Sequence, residues 1–237
     1  MVKISPQTAK LNNKDGKEKM KYTTFIFDFD YTLVDATIGI MDSFNYGFTQ
    51  LGIKPKNHDS IKKTIGMPLR EGFFELLGKR DKPLAEQFVS HFKTRADAVM
   101  TANTVLFDDT LDVLSQLKKR NCNIAIVTSK NHFRIDEVIE KYKLHELIDY
   151  VLGIEDVSIP KPSPEGLLKT IEHFRVSKQS ALFTGDTIID ANTAANASMD
   201  FAAVTTGSTS AQEFEGLPHV CIAKSLTEMY ERATLMI

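Results

Sequence analysis

The stretch FIFDFDYTLVD, residues 25–35, constrains the fold of this 237-residue chain more than any other segment. It begins as the apolar run of a buried strand, yet it contains two carboxylates, Asp28 and Asp30. Leaving them unpaired in such surroundings would cost on the order of several kcal/mol each. The stretch therefore predicts that other groups compensate these charges, if the strand lies where its apolar pattern indicates.

Four later apolar runs indicate the rest of the fold, because helical patterns follow three of them. The runs cover residues 122–128, 150–154, 181–184 and 201–204, and the helical patterns cover about 132–141, 164–174 and 187–197. Strands that alternate with helices predict right-handed crossover units and a parallel sheet buried on both faces. We therefore predict an α/β fold with a Rossmann-like, doubly wound parallel sheet.

The region between residues 36 and 105 interrupts this alternation. Its apolar side chains recur at helical spacing, as in Ile40, Phe44 and Phe48, and it contains no convincing strand. This pattern predicts a helical cap inserted after the first strand, with the Phe residues as its core. The predicted organisation is a flexible tail at residues 1–20, an α/β core at 21–35 and 106–237, and the cap at 36–105.

Composition excludes several classes of function. Lys and Arg, 29 in total, nearly balance 31 Asp and Glu, so no global charge indicates binding to nucleic acid or to an anionic membrane. No apolar run approaches the ~20 residues that span a bilayer, and the polar first residues do not resemble a secretory signal. Cys122 and Cys221 lie in short apolar segments and predict buried free thiols in a reducing compartment, the cytoplasm.

Polar side chains follow four of the predicted strands, at the edge where doubly wound sheets bind ligands. They are Asp28 and Asp30 after the first strand, Thr128 and Ser129 after the second, Lys161 after the third, and Asp186 and Asp190 after the fourth. Each one alone has a structural explanation, such as a helix cap at Asp186 or a solvated lysine at Lys161. Their recurrence at four strand ends instead indicates one site.

These residue types supply the parts for phosphoryl transfer through an aspartyl-phosphate. A carboxylate is a recognised nucleophile for this chemistry, and Asp28 and Asp30, two apart on a strand, point to the same face. Converging carboxylates without Cys or His suit a hard cation such as Mg2+ beside phosphate. The metal and Lys161 would offset the charge of the opening strand, while Thr128 and the turn after it would bind phosphate oxygens.

The ordered motifs DFDYT, VTSK, KPSPE and GDTIID resemble the four motifs of the haloacid dehalogenase superfamily of phosphohydrolases. The resemblance runs from about Tyr22 to the C-terminus, and the predicted cap is similar to the small α-helical cap of these enzymes. The segment IGMPLREGF, residues 65–73, resembles the substrate-facing loop in caps of phosphoglycolate phosphatase-like members. Two positions depart from the pattern, since Tyr31 and Ser198 stand where the family commonly has Gly.

The resemblance implies roles for the acidic residues. Asp28 would attack phosphorus, and Asp30 would protonate the leaving oxygen and then activate the hydrolytic water. The side chains of Asp28 and Asp186 would bind Mg2+, joined by the backbone carbonyl of Asp30. Asp190 would support the metal-bound water or Lys161.

The resemblance also implies how the substrate is held. Thr128 and Ser129 would bind the phosphoryl group. Arg70, in the predicted cap loop, is our candidate for contacting the rest of the substrate, although an exposed arginine at a helix start is an equally good interpretation.

Several alternatives differ from this interpretation in particular residues. True dehalogenases lack the second aspartate of the first motif, so Asp30 argues against dehalogenation. Sugar phosphomutases commonly carry Glu-Asp where this chain has Gly185 and Asp186, which favours a hydrolase, while a pyrophosphatase stays open. A two-component receiver domain has a different motif order and no room for the helical insertion. A catalytically silent phosphate-binding descendant is a further alternative, although every expected catalytic residue is present.

The sequence therefore predicts a Mg2+-dependent phosphatase acting on a small phosphorylated metabolite, with phosphoglycolate as the family-level expectation. The cap would close over the substrate and exclude bulk water. Neither nucleic acid nor a membrane is an expected partner, and the sequence does not indicate an oligomeric state.

Overall fold

The computed structural model describes residues 20–236, so the predicted flexible tail lies outside the described residues except for Met20. Within this range the chain forms eight short strands, distributed from the N-terminal to the C-terminal part. The strands are β1 (Thr24–Phe27), β2 (Val34–Asp35), β3 (Val105–Leu106), β4 (Asn123–Val127), β5 (Tyr150–Leu152), β6 (Ala181–Gly185), β7 (Asp200–Val204) and β8 (Cys221–Ala223).

Helices connect these strands. They are α1 (Thr37–Gln50), α2 (His58–Lys62), α3 (Leu69–Leu77), α4 (Lys82–Val99), α5 (Thr110–Lys119), α6 (His132–Tyr142), α7 (Glu165–Phe174), α8 (Ile188–Ala197), α9 (Ala211–Phe214) and α10 (Leu226–Thr234). Across residues 20–236, no helix has both the length and the apolar character that crossing a membrane requires.

The main sheet has the order β5-β4-β1-β6-β7-β8, and every neighbouring pair of strands in it is parallel. This arrangement confirms the predicted α/β fold with a parallel sheet. β1 lies between β4 and β6, so the strand end that carries Asp28 has strand ends on both sides. β8 is not among the strands predicted from the sequence, although it is as long as β5.

Alternate side chains of β1 enter two hydrophobic cores, one on each face of the sheet. Phe25 and Phe27 belong to the core that also contains Ile135 of α6 and Met229 of α10. Ile26 belongs to the opposite core, which includes residues of α7 and α8. Burial on both faces explains why β1 is a continuous apolar run rather than an alternating one.

Helices α1 to α4, here called the cap helices, have a third hydrophobic core of their own. Phe73 and Phe88 stack with ring centroids 4.5 Å apart, and Phe44 lies 5.4 Å from Phe88. The Phe residues therefore pack with one another, as their helical spacing predicts. At both ends of the cap helices, β2 and β3 pair in antiparallel register, a short ribbon that the sequence does not predict.

Tyr31 has a backbone conformation that favours glycine. Its φ of 60° lies in the left-handed region, which costs an ordinary residue about 1–2 kcal/mol. The ring is 3% exposed and belongs to the core of the cap helices, and the hydroxyl shares a 2.7 Å hydrogen bond with Oγ1 of Thr37. Ser198, the other departure from Gly, has a φ of 54° at the end of α8.

We expect Tyr31→Gly to destabilise the protein although it removes the backbone strain. Losing a buried aromatic side chain costs about 3–5 kcal/mol, which exceeds the roughly 1–2 kcal/mol of strain. The free energy of unfolding, measured by urea titration, should fall by about 1–4 kcal/mol on balance.

Tyr31→Phe is the matched control, because it keeps the ring and removes only the hydroxyl. It should cost about 0.5–1.5 kcal/mol for the lost hydrogen bond to Thr37. A Tyr31→Gly protein as stable as the parent would show that backbone strain, not ring packing, dominates at this position.

Candidate active site

Three candidate residues directly follow parallel strands and therefore lie at the carboxyl edge of the sheet. Asp28 directly follows β1, and its N–H donates to the carbonyl of Thr184 in β6 at 2.9 Å. Thr128 directly follows β4, and its N–H donates to the carbonyl of Leu152 in β5 at 3.1 Å. Asp186 directly follows β6. The two hydrogen bonds continue the pairing of the strands by one residue and so fix the backbone positions of Asp28 and Thr128.

Lys161 compensates the buried carboxylate of the opening strand. Its Nζ donates to Oδ1 of Asp28 at 2.8 Å and to Oδ1 of Asp190 at 2.6 Å, and the three side chains are at most 5% exposed. Burial disfavours the charged ammonium, but the attraction of Asp190 and Asp28 outweighs it and raises the pKa of Lys161 above its ordinary value. The lysine is therefore charged at neutral pH.

Asp190 is held by the start of α8. Its Oδ2 accepts hydrogen bonds from the N–H of Thr187 at 3.1 Å and from Oγ1 of Thr187 at 2.5 Å. The Thr187 hydroxyl in turn caps the helix at the Asp190 N–H, which completes a capping box. Since both oxygens of Asp190 have donors, this residue is suited to orienting Lys161.

Asp186 carries a buried carboxylate oxygen that lacks a hydrogen-bond donor among the described residues. Its other oxygen accepts from Oγ1 of Thr32 at 3.3 Å. A Cβ at position 207 would lie 1.8 Å from the unpartnered Oδ2, so only the absence of a side chain at Gly207 allows Asp186 this position. Burial first, and then repulsion by Asp190 and Asp28, raise the pKa of Asp186 well above its ordinary value.

This acidic cluster fits a divalent cation. Asp28, Asp186 and Asp190 each offer a buried oxygen atom within 4.8 Å of the others. The donors are all oxygens, which hard cations such as Mg2+ prefer. A bound cation would give the unpartnered oxygen of Asp186 a direct positive partner, which no described residue provides.

Asp30 forms a buried ion pair that the sequence does not predict. Nζ of Lys130 donates to its two carboxylate oxygens at 2.9 and 2.8 Å, and the two side chains are 10% and 14% exposed. Burial raises the pKa of Asp30, and Lys130 opposes that rise. Lys130 lies two residues after Thr128 in VTSK, and this position at a strand end is the sequence signal that could have identified it as a site residue.

Thr128 and Ser129 line the same cavity as Asp28 and Asp30. The hydroxyl oxygen of Thr128 accepts from the N–H of Lys130 at 3.3 Å. The Ser129 hydroxyl is buried and has no hydrogen-bond partner among the described residues. An unpartnered hydroxyl that lines a cavity with Asp28 and Asp30 is suited to a polar ligand atom.

A cavity of about 120 Å³ lies between the strand ends and the cap helices. The sheet edge contributes polar residues to its lining, and α1, α4 and the segment that enters α3 contribute the opposite side. The polar residues are Asp28, Asp30, Thr128, Ser129, Lys130 and Asn131. Its volume is below the roughly 300–1,000 Å³ of pockets for drug-sized ligands, which suits a small molecule.

Arg70 neither lines this cavity nor belongs to the cluster of Asp28, Lys161, Asp186 and Asp190. Its guanidinium lies 2.5 Å from a carboxylate oxygen of Glu86, and its side chain is 52% exposed. The preceding residue, Leu69, lines the cavity instead. One residue along a helix rotates the side chain by roughly 100°, and the sequence does not show which of the two faces inward.

Comparisons with known proteins identify the family of this chain. The model of the haloacid dehalogenase-like hydrolase family matches residues 25–204. A solved structure from Bacteroides fragilis, assigned to the haloacid dehalogenase-like hydrolases, is 40% identical with a TM-score of 0.86, over 88% of this chain and 100% of that one. The chain is thus a doubly wound α/β hydrolase, and it belongs to the haloacid dehalogenase-like family.

Two curated relatives carry more specific names. A phosphoglycolate phosphatase from Psychrobacter arcticus is 26% identical over 200 residues, or 81% of this chain and 87% of its own. A pyrophosphatase from Bacillus cereus is 26% identical over 185 residues, or 78% of this chain and 84% of its own. These matches confirm the resemblance to phosphoglycolate phosphatase-like members and the prediction of an enzyme.

Asp186→Asn is expected to change the pH dependence of stability. Because the pKa of Asp186 is raised in the folded state, folding is favoured by its protonation. This stabilisation is complete below the unfolded-state pKa of about 3.9 and is lost as the pH rises through the raised folded-state pKa. In EDTA, the Tm of Asp186→Asn relative to the parent should therefore increase between about pH 4 and neutrality.

The same thermal measurements in Mg2+ test the metal site. At about 100 times the Kd, Mg2+ should stabilise the parent by about 2.7 kcal/mol and Asp186→Asn by clearly less. Exposed Asp108→Asn is the control for removing one negative charge. Equal stabilisation of the parent and Asp186→Asn by Mg2+ would contradict the assignment.

Proposed function

We propose that this protein is a Mg2+-dependent phosphatase that hydrolyses a small organic phosphomonoester through an aspartyl-phosphate intermediate. The observation that carries the proposal is the position of Asp28. It lines the cavity beside Asp30, and its carboxylate also belongs to the buried acidic cluster with Asp186. One carboxylate therefore has access to a ligand, to a cation site and to Lys161 at the same time.

In the first step, a carboxylate oxygen of Asp28 attacks phosphorus and forms an acyl-phosphate bond. The bond between phosphorus and the ester oxygen breaks, and its electron pair goes to the leaving oxygen. Asp30, in its protonated form, donates its proton to that oxygen, so the alcohol leaves uncharged. Lys130 holds the Asp30 carboxyl at the cavity through both oxygens.

In the second step, water hydrolyses the aspartyl-phosphate. Asp30, now a carboxylate, removes a proton from the water as its oxygen attacks phosphorus. The bond between phosphorus and Asp28 breaks, which releases inorganic phosphate and restores both aspartates. Thr128 and Ser129, which line the cavity, would donate hydroxyl hydrogen bonds to phosphoryl oxygens, and Lys161 would keep its charge beside Asp28 throughout.

The residues that would hold Mg2+ are Asp28 and Asp186 by side chain and Asp30 by its backbone carbonyl. The cation would supply positive charge to the phosphoryl oxygens and to the acidic cluster. Asp190, whose oxygens are already hydrogen-bonded, would support Lys161.

Phosphoglycolate and pyrophosphate are the first substrates to compare, because curated relatives are named for activity on them. A sugar phosphomutase and a silent phosphate-binding protein are the remaining alternatives. Phosphate release distinguishes the hydrolases from both, and an isomerisation assay on sugar phosphates would then separate those two.

We expect Mg2+-dependent phosphate release from a panel of small phosphate esters, with loss of release in EDTA. Asp28→Asn should lower kcat by roughly 10³-fold or more, because removing a nucleophile abolishes the covalent route. Exposed Asp108→Asn should keep full activity. Undiminished release by Asp28→Asn would rule out the aspartyl-phosphate.

Asp30→Asn should separate the two chemical steps. Its rate on alkyl phosphates should fall by about 10²–10⁴-fold, because their leaving oxygen needs a proton. With 2,4-dinitrophenyl phosphate, whose leaving group needs none, it should release a burst of dinitrophenolate stoichiometric with enzyme. Slow turnover then follows because the aspartyl-phosphate lacks its general base. Parent-like rates on alkyl phosphates would contradict the role of Asp30.

A further inference from the structure

The cap side of the cavity is lined almost entirely by carbon. Helix α1 contributes Ile40 and Phe44, and helix α4 contributes Phe92, Ala96 and Met100. Four of these five are at most 6% exposed and Phe92 packs against the same core, so the core of the cap helices fixes their positions. A ligand group on this side meets aliphatic and aromatic surface.

The segment that enters α3 continues the same surface. Ile65, Met67 and Leu69 line the cavity, and Gly66 lies between them with a φ of 94°. Thr64 is the polar residue of this segment, but its hydroxyl already donates to the carbonyl of Ile61 at 2.8 Å. This segment therefore offers a bound ligand no free hydroxyl proton.

The charges around the cavity are largely neutralised by one another. Arg134 donates to Glu137 at 2.8 Å and also pairs with Asp97, while Lys130 is paired with Asp30. Among the described residues lining the cavity, Lys93 is the cation without a carboxylate partner. Lys93 is exposed, so its ammonium stays hydrated at the mouth.

We propose that the alcohol part of the substrate is small, uncharged and apolar, an assignment that rests on the proposed phosphatase function. A carboxylate or second phosphate on the cap side would lose its hydration without gaining a buried side-chain donor from the described cap residues that line the cavity. Carbon atoms in the same place gain from burial. The alcohol that departs with the proton of Asp30 is then an apolar molecule, so phosphoglycolate and pyrophosphate are poor substrates.

Isobutyl phosphate and phosphoglycolate form a matched pair for the test. Both are esters of primary alcohols, and the branched methyl groups of one occupy nearly the space of the carboxylate oxygens of the other. We expect kcat/KM with Mg2+ to be at least about tenfold higher for isobutyl phosphate, since one methylene in an apolar pocket changes kcat/KM by about 10–200-fold. Pyrophosphate should be hydrolysed more slowly than either ester.

Leu69→Gln and Leu76→Gln locate the effect. Both leucines are half-buried on α3, but Leu76 lies outside this cavity. Leu69→Gln should lower kcat/KM for isobutyl phosphate roughly tenfold and reduce the preference over phosphoglycolate. Leu76→Gln should leave that preference unchanged, and Tm values of both variants show whether either one unfolds.

The outcomes separate this assignment from the phosphatase proposal. Equal or higher kcat/KM for phosphoglycolate or pyrophosphate would overturn the apolar assignment and leave the phosphatase standing. A phosphoglycolate preference that Lys93→Gln abolishes would likewise overturn it, because the exposed lysine would then be the determinant. Phosphate release from none of these three substrates and from no other member of the ester panel would overturn both.

Discussion

The contact of the Lys161 ammonium with Asp28 and Asp190 is the interaction on which the active edge of the sheet depends. It connects the end of the central strand, the loop after β5 and the first turn of α8 in a nearly solvent-free space. Without it, β1 would end in an uncompensated buried charge, which costs about 3–5 kcal/mol when one partner of a buried pair is lost. The lysine is thus required by the fold before it contributes to any chemistry.

The sheet and the strand-end residues could be predicted from the sequence because both follow from simple physical rules. Strands buried on two faces must be apolar throughout, and parallel strands must place their carboxyl ends together. Asp28, Thr128 and Asp186 consequently meet at one edge, whatever the loops between them do. β2 and β3 were not predicted because two residues each are too few to show an apolar pattern.

The side chains that could not be predicted are those whose direction depends on rotation about a helix or on a distant partner. Leu69 and Arg70 are adjacent at the start of α3, and only packing against the other cap helices decides that the leucine faces the cavity. Lys130 is a lysine at a strand end, and its partner Asp30 lies 100 residues away in the sequence. The cavity therefore combines a core side fixed by charge with a cap side fixed by packing.

Tyr31 connects these two sides. Its ring belongs to the core of the cap helices, while its carbonyl accepts a hydrogen bond from Thr206, next to the glycine that makes space for Asp186. Its neighbour in the chain is Asp30. Because the ring and the carbonyl belong to one residue, a displacement of the cap helices would also displace the backbone next to Asp30, the proposed proton donor.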